Sequence, residues 1–121
     1  MKIINYCDHA VAVTVDGVTW VKPRNRDGLD ARVYYDPENS VIKDDDSGVL
    51  IPVKYKTRAR VMLFPGHINF PKAKEGVVYL VSGQVRDFLS QRKDLYSPNS
   101  GPSAERRGGQ VISVKELIGN V

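Results

Sequence analysis

The sequence is poor in the residues that build covalent or metal-stabilised sites. It has one cysteine and two histidines in 121 residues, which excludes an intramolecular disulfide framework and any zinc site made of several cysteines. No apolar run approaches the ~18 residues of a membrane-spanning helix, and the opening Met-Lys-Ile-Ile-Asn lacks the apolar core of a signal peptide. We therefore expect a small, soluble, intracellular protein with no membrane partner, no metal and no other cofactor.

Positive charge is in only small excess, but it is concentrated in one short segment. The chain has 18 Lys+Arg and 14 Asp+Glu, a net charge of +4, and 41% of its residues are hydrophobic. This composition and length fit one globular domain, residues 1–121. Segment 54–60 alone carries four positive charges and no negative one. A local concentration of this kind favours an anionic partner, whereas a diffuse excess would indicate solubility only.

Short apolar runs rich in β-branched residues extend over most of the chain and predict strands. The predicted strands are 2–6, 10–15, 18–22, 29–35, 49–57, 59–64, 77–81 and 110–114, with 49–57 and 59–64 either separate or one bent strand. Run 77–81 is apolar throughout, which is typical of a central strand buried on both faces. Asp16-Gly17 predicts a type I′ hairpin turn. The fold class that we expect is mainly β (α+β), a small mixed or antiparallel sheet or sandwich.

Turns, one helix and one long loop complete the predicted organisation. Turns are expected at Asp36–Ser40 and Asp44–Gly48. Ser82 is predicted to cap a single short helix near 83–93. Residues 97–109 are rich in Gly, Pro and Ser and are predicted to form a long loop. Several short strands in a chain of this size favour a homo-oligomer that covers exposed sheet edges.

Enzymatic chemistry has little support in the sequence. Cys7 and His9 stand at i and i+2, so on a strand they would share a face. A thiol and an imidazole form a nucleophilic pair only with an orienting third group and an oxyanion hole. We favour the alternative, a buried thiol beside a locally bonded histidine. No phosphate-binding glycine pattern or nucleophile elbow is present, and Asp44–Gly48 lacks the distal glutamate of a calcium loop. We expect no catalytic residue and no enzyme.

An alternating set of cations is the clearest functional pattern, and it comprises Lys54, Lys56, Arg58 and Arg60. On a strand these residues would share one face, with ~6.6 Å between neighbours, close to the spacing of phosphates along a nucleic acid. Residues 53, 55, 57 and 59 would then point into the core. The alternative is an edge strand that outward Lys and Arg protect against aggregation.

A second candidate region is Arg86 to Arg107. Arginines beside a long loop can close over an anionic ligand through forked hydrogen bonds, and Tyr96 could stack on a base. The alternative is an ordinary exposed loop. The residues concerned are Arg86, Arg92, Lys93, Asp94, Tyr96, Arg106 and Arg107.

Several collinear motifs resemble a family of small, largely uncharacterised bacteriophage and prophage proteins. They are Ile4-Asn5-x-x-x-His9, Ala31-Arg32-Val33, Phe70-Pro71, Glu75-Gly76-Val-Val-Tyr79-Leu-Val81-Ser82, Arg92-x-Asp94-Leu95-x-x-Pro98 and Gly109-x-Val111-Ile112. The chain departs from the family where Cys7-Asp8 replaces Thr-Pro. The resemblance implies a phage accessory protein that acts in the cytoplasm of the bacterial host. It also draws attention to Asn5, His9, Arg32 and Asp94, with a structural role for Asn5 and His9 as the alternative.

The function that we expect is a phage-encoded, non-enzymatic binding protein that inhibits a host antiviral defence system. Its partner would be an anionic small molecule such as a nucleotide-type signal, or a nucleic-acid-handling defence protein of the host. A direct nucleic-acid-binding module and a virion structural or assembly protein remain alternatives. The predicted ligand-binding residues are His9, Arg32, Lys54, Lys56, Arg58, Arg60, Arg92, Asp94, Tyr96, Arg106 and Arg107.

Overall fold

Strands account for most of the regular structure, as the sequence predicts. The computed structural model describes the backbone of residues 1–121 and every side chain except that of Arg58. Strand covers 52% of the chain and helix 5%, so the mainly β prediction is confirmed. The elements are β1 (Lys2–Asn5), β2 (Val11–Val15), β3 (Val18–Lys22), β4 (Asp30–Lys43), β5 (Leu50–Phe64), β6 (Ile68–Asn69), β7 (Val77–Leu80), α1 (Gly83–Phe88), β8 (Leu95–Pro98), β9 (Glu105–Arg107), β10 (Gln110–Ser113) and β11 (Leu117–Gly119).

The central element is a mixed four-stranded sheet in the order β1-β7-β8-β11. Strands β1, β7 and β8 are parallel, and β11 pairs antiparallel with β8. Burial of β7 on both faces is confirmed, since Tyr79 is 4% exposed and Leu80 is fully buried. Successive residues of a strand point to opposite faces. Tyr79 and Val81 therefore enter one core cluster, with Leu95, while Leu80 enters the other, with Val11.

Helix α1 begins where the sequence predicts and ends earlier. The Ser82 side-chain oxygen accepts a hydrogen bond from the Val85 amide at 3.3 Å, which is the expected N-cap. The helix stops at Phe88 and does not extend to residue 93. The Asn120 amide donates to the carbonyls of Arg86, Leu89 and Arg92 at 3.1, 3.2 and 2.9 Å. A distant side chain thus satisfies the carbonyl groups at the end of the helix, which the local pattern did not reveal.

Strands β4 and β5 form a long two-stranded ribbon. Their pairing extends from Asp30–Phe64 at the base to Lys43–Leu50 near the tip, and β6 pairs only with the base. Ala31 and Leu63 are buried there. Within residues 37–56, which we call the outer ribbon, all side chains are exposed except the half-buried Val53. Tyr55 and Thr57 are exposed, and Val53 and Ala59 are only half-buried, so the prediction that residues 53, 55, 57 and 59 point into the core is wrong.

A β-bulge explains why Asp36–Ser40 is not the predicted turn. This segment lies inside β4. Tyr35 pairs with Ala59 and Pro37 pairs with Lys56, so β5 has one more residue than β4 over this step. The Thr57 hydroxyl donates to the Asp36 carbonyl at 3.1 Å and so stabilises the irregularity. Pro37 is tolerated because the ribbon has only two strands here, and each of them is an edge.

Two other predicted turns are confirmed, and the predicted long loop is corrected. Asp16 and Gly17 have φ of 51° and 79°, as the type I′ turn requires. The turn at Asp44–Gly48 is also present, with a hydrogen bond from the Gly48 amide to the Asp44 carbonyl. The predicted long loop 97–109 instead contains the end of β8 and all of β9. The Gly108-Gly109 step has φ of 59° and 82° and connects β9 to β10 as a hairpin.

Candidate functional site

A cleft lies at the carboxyl ends of the three parallel strands. Cys7–His9 follow β1, Ser82–Gly83 follow β7, and Ser100 follows β8, so the chain leaves all three strands at the same edge of the sheet. These residues and β10 line a volume of about 540 Å³. Carboxyl edges of parallel strands are frequent binding sites because loops from neighbouring strands converge there. We call this feature the carboxyl-edge cleft.

Asn5 fixes the loop that forms the floor of this cleft. Its side chain is 1% exposed. Its amide group donates to the carbonyls of His9 and Lys22 at 3.1 and 3.0 Å, and its carbonyl oxygen accepts from the Cys7 amide at 2.8 Å. With these bonds the side chain joins the loop 5–9 to the end of β3. Asn5 therefore has the structural role that was the alternative to ligand binding.

Cys7 and His9 do not form a pair. Strand β1 ends at Asn5, so the predicted shared strand face is wrong. Cys7 is 4% exposed, whereas 66% of the His9 side chain is exposed. The His9 Nδ1 atom lies 2.7 Å from the Ala10 carbonyl, and its Nε2 atom lies 3.7 Å from the Asp8 carboxylate. Burial, with a smaller contribution from Asp8 and Asp30, raises the pKa of the Cys7 thiol to about 12. The thiol is protonated at neutral pH, and thiols are weak nucleophiles.

Arg32 borders a smaller cleft next to the first. This volume of about 290 Å³ shares Cys7, Asp8 and Ser82 with the carboxyl-edge cleft. Arg32 donates from Nε to the Asp30 carboxylate at 2.7 Å, and its guanidinium lies 3.7 Å from the centre of the Phe64 ring. Hydrogen bonding to Asp30 raises the pKa of Arg32. The guanidinium is thereby held in one orientation while 47% of the side chain stays exposed.

The β9–β10 hairpin forms one wall of the carboxyl-edge cleft. Residues Gln110–Val114 line the cleft directly, and Arg106 and Arg107 are the cross-strand partners of Val111 and Gln110. Arg106 donates to the Ser100 carbonyl at 2.6 Å. Arg107 is exposed, and its side chain has no hydrogen bond or ion pair within the described part of the chain. Of the predicted residues, His9 thus lines this cleft and Arg32 lines the smaller cleft beside it, while Arg106 and Arg107 lie on the strand behind its β10 wall.

The remaining late residues lie elsewhere. Arg92 and Asp94 precede β8 and so lie at the amino ends of the strands. Arg92 donates to both carboxylate oxygens of Asp94 at 2.8 and 2.7 Å, and also to the Pro71 carbonyl. These bonds from Arg92 lower the pKa of Asp94. Tyr96 packs against the core cluster of Leu80. Arg92 and Asp94 therefore bind each other and lie away from the carboxyl-edge cleft.

The alternating cations do not share one face. The bulge shifts the alternation, so that Lys54 and Lys56 lie on the face of Tyr35, and the Lys56 ammonium is 4.6 Å from the centre of that ring. Arg60 lies on the opposite face, where it donates to Asp36 at 3.0 Å. The side chain of Arg58 is outside the described residues. The prediction that these cations form a single aligned row of phosphate contacts is therefore wrong.

No group of three or more His, Cys, Asp or Glu side chains in the described part of the chain is placed to hold a metal ion. In that same part, no helix has the length and apolar character needed to cross a membrane.

No family model matches the chain. No curated protein and no solved structure matches it either. The kinship with small phage proteins accordingly stays a prediction.

Sequence reasoning missed several residues that shape the cleft. Asp8, Ser100 and Gln110 line it, and buried Asp30 holds Arg32. Asp8 and Gln110 fall on unspecified positions of the quoted motifs, and Ser100 and Asp30 fall in none, because the cleft is assembled from segments up to a hundred residues apart. The Gly108-Gly109 pair was the one usable signal, since Gly-Gly between two short runs is typical of a tight hairpin.

Proposed function

We propose that this protein is a non-enzymatic binding protein of phage origin that inhibits a host defence system by taking up an anionic, nucleotide-type ligand. The observation that carries the proposal is the carboxyl-edge cleft, which His9 lines, together with the adjoining smaller cleft, which Arg32 lines. Arg106 and Arg107 lie on β9, the strand paired with the lining strand β10. Phage origin and the bacterial cytoplasm as its location rest on the sequence motifs alone.

The size and the chemistry of the cleft support a small ligand. Its ~540 Å³ falls in the usual range of ligand pockets, about 300–1,000 Å³. Guanidinium groups bind phosphate through paired hydrogen bonds. Asp8 lines both clefts, and its carboxylate can accept hydrogen bonds from ribose hydroxyl or base amino groups. A nucleotide presents both kinds of group.

The chemistry of the lining favours binding over catalysis. A catalytic cysteine needs a thiolate at working pH, whereas burial raises the pKa of Cys7 to about 12. His9 does not contact Cys7; its ring nitrogens face the Ala10 carbonyl and Asp8. The cleft thus offers recognition groups without an activated nucleophile.

Native mass spectrometry of the protein recovered from phage-infected cells tests the proposal. We expect a retained mass of a few hundred daltons. Titration calorimetry with a panel of nucleoside monophosphates and cyclic mono- and dinucleotides then identifies the class. The Arg107→Glu variant should weaken binding of the best panel member about tenfold or more, because a charge-assisted contact becomes a repulsion.

Lys93→Glu is the matched control. It makes the same change of charge at an exposed cation beside Asp94, at the amino ends of the strands, and should leave the affinity unchanged. Equal losses in both variants would indicate a non-specific effect of net charge and would contradict a site at the cleft. A bare protein from infected cells that also binds no panel member would overturn the proposal.

A further inference from the structure

A buried carboxylate holds two arginines beside the smaller cleft. Asp30 is 3% exposed, and it forms ion pairs with Arg24 at 3.4 Å and with Arg32 at 2.7 Å. Arg24 belongs to the loop after β3, and Arg32 lies on β4. A charge at this depth is costly unless cations pair with it. Both arginine side chains remain partly exposed, so one buried anion orients two cations that a ligand can reach.

This group of three residues keeps a net positive charge. Arg24 also donates to the Gly28 carbonyl at 2.8 Å, which holds its guanidinium against the loop. Because Arg24 and Arg32 share one carboxylate, two positive charges face one negative charge. With Arg32 alone, Asp30 would cancel the charge beside the cleft. Arg24 therefore leaves the positive charge of Arg32 available to an anion.

The guanidinium of Arg32 is oriented with one edge unused. Its Nε and Nη2 atoms face the two Asp30 oxygens at 2.7 and 3.5 Å, and it lies over the Phe64 ring. Within the part of the chain that the structure describes, Nη1 has no hydrogen-bond partner. The Nη1 and Nη2 groups form the second forked edge of a guanidinium, which can bind two phosphate oxygens. Since Arg32 lines the smaller cleft, this edge is available to a phosphate there.

Asp8 adds a second kind of recognition group. It lines the smaller cleft together with Arg32 and also lines the carboxyl-edge cleft. Asp30 is the main cause of the raised pKa of Arg32, and Asp8 is a smaller one, so the Asp8 carboxylate lies near the same guanidinium. A carboxylate repels free phosphate but accepts hydrogen bonds from hydroxyl groups. A ligand that suits both residues carries a phosphate next to hydroxyl groups, as a ribose phosphate does.

We propose that the smaller cleft is a ribose-phosphate subsite, with the phosphate on Arg32 and the ribose hydroxyls on Asp8. The base then lies in the carboxyl-edge cleft, since Asp8 is shared by the two clefts. Asp30 and Arg24 are positioning residues: Asp30 orients the guanidinium, and Arg24 balances the charge of Asp30. This inference rests on the proposed function, because it assigns one part of the nucleotide-type ligand to the smaller cleft.

Titrations with inorganic phosphate and with ribose 5-phosphate, followed by NMR chemical shifts of the protein, test the phosphate contact. Arg32→Gln should weaken both ligands about tenfold, because a charge-assisted pair of hydrogen bonds is lost. Arg24→Gln should weaken both by a smaller factor. Each variant leaves Asp30 one cationic partner, so both should fold, which circular dichroism checks.

Arg26→Gln is the matched control for the two arginine variants. Arg26 is an exposed arginine of the same loop as Arg24 and lines neither cleft. Its side chain has no ion pair or hydrogen bond among the described residues. The substitution removes the same charge, and both affinities should stay unchanged.

Asp8→Ala separates ligand recognition from a purely structural role. The exposed carboxylate is lost, so ribose 5-phosphate loses a charged hydrogen-bond acceptor and should bind about tenfold more weakly. Inorganic phosphate should bind as well as before or more tightly, because a repulsion is removed. A structural disturbance of the cleft would weaken both ligands alike.

Three results would overturn the inference: no binding of ribose 5-phosphate at millimolar concentrations, unchanged binding in Arg32→Gln, or equal weakening of both ligands in Asp8→Ala. These results are distinguishable from failure of the proposed function. If nucleotides bind the wild-type protein and Arg32→Gln equally well, the subsite is wrong and the proposed function stands. If no nucleotide binds but ribose 5-phosphate binds in an Arg32-dependent way, the subsite stands and the proposed function is wrong.

Discussion

The central sheet and the outer ribbon are both β structure, but different forces hold them. In the central sheet, Leu80, Leu95 and Val81 are fully buried between two core clusters. In the outer ribbon, backbone pairing continues over seven residue pairs with almost no burial. Backbone hydrogen bonds contribute little net free energy against water, whereas apolar burial dominates folding. The same secondary structure is therefore stabilised from within in one region and lacks that stabilisation in the other.

The largest contrast should appear when a leucine is truncated in each region. Leu80→Ala leaves a cavity in a fully buried site and should lower the free energy of unfolding by about 2–5 kcal/mol. Leu50→Ala, at 61% exposure, should change it by about 0.5 kcal/mol or less when the chain is dilute and monomeric. Urea denaturation measures both. Similar losses in the two variants would mean that the outer ribbon is buried in the monomer.

A second, smaller contrast involves two asparagines. Asn5→Ala removes the partner of two carbonyls and one amide in a buried loop and should cost about 1–3 kcal/mol. Asn39→Ala, at an exposed position of the outer ribbon, should have an effect near zero. Thermal and urea unfolding of both variants provide the measurement. An unaffected Asn5→Ala protein would show that water replaces the side chain and that the floor of the cleft is open to solvent.

The smallest contrast concerns two carboxylates whose pKa is lowered for different reasons. Arg92 lowers the pKa of half-buried Asp94, and Ser47 lowers that of exposed Asp44 in the ribbon turn. A carboxylate whose pKa is lower in the folded than in the unfolded state stabilises the folded protein at pH values above its unfolded pKa of 3.8. This contribution is lost as the pH falls through the folded-state pKa. Asp94→Asn should flatten the acid limb of the plot of unfolding free energy against pH. Asp44→Asn should flatten it less, since solvent screens an exposed group. The reverse order would contradict our account of the Arg92–Asp94 pair.

Local sequence patterns predicted the elements whose stability is decided by nearby residues. The hairpin at Asp16-Gly17 and the Ser82 cap depend on contacts within a few positions, and both are confirmed. The buried strand 77–81 is also confirmed; its continuous apolar run indicates burial even though the residues that bury it are distant. The turn predicted at Asp36–Ser40 does not form, because pairing with a partner strand twenty residues away outweighs the turn preference of Asp-Pro-Glu-Asn. The end of the helix was predicted wrongly, because Asn120, about thirty residues away, caps it.

The candidate site shows the same division. His9, Arg32, Arg106 and Arg107 were predicted singly, from residue type and from motifs. The cleft that His9 lines depends on the parallel arrangement of β1, β7 and β8, which places the ends of these strands at one edge. Arg32 lines the adjoining smaller cleft from β4. The alternation of cations at 54–60 predicted one face, and a single bulge divided them between two.

By itself, the sequence determined a mainly β chain with one short helix, a buried central strand and a cationic segment, because periodicity and turn residues act over short distances. Only the tertiary structure decided which loops meet at the carboxyl edge, which arginines are held by carboxylates and which face each lysine takes. Those outcomes depend on strand order and register, and these are set by burial and pairing between residues far apart in the chain.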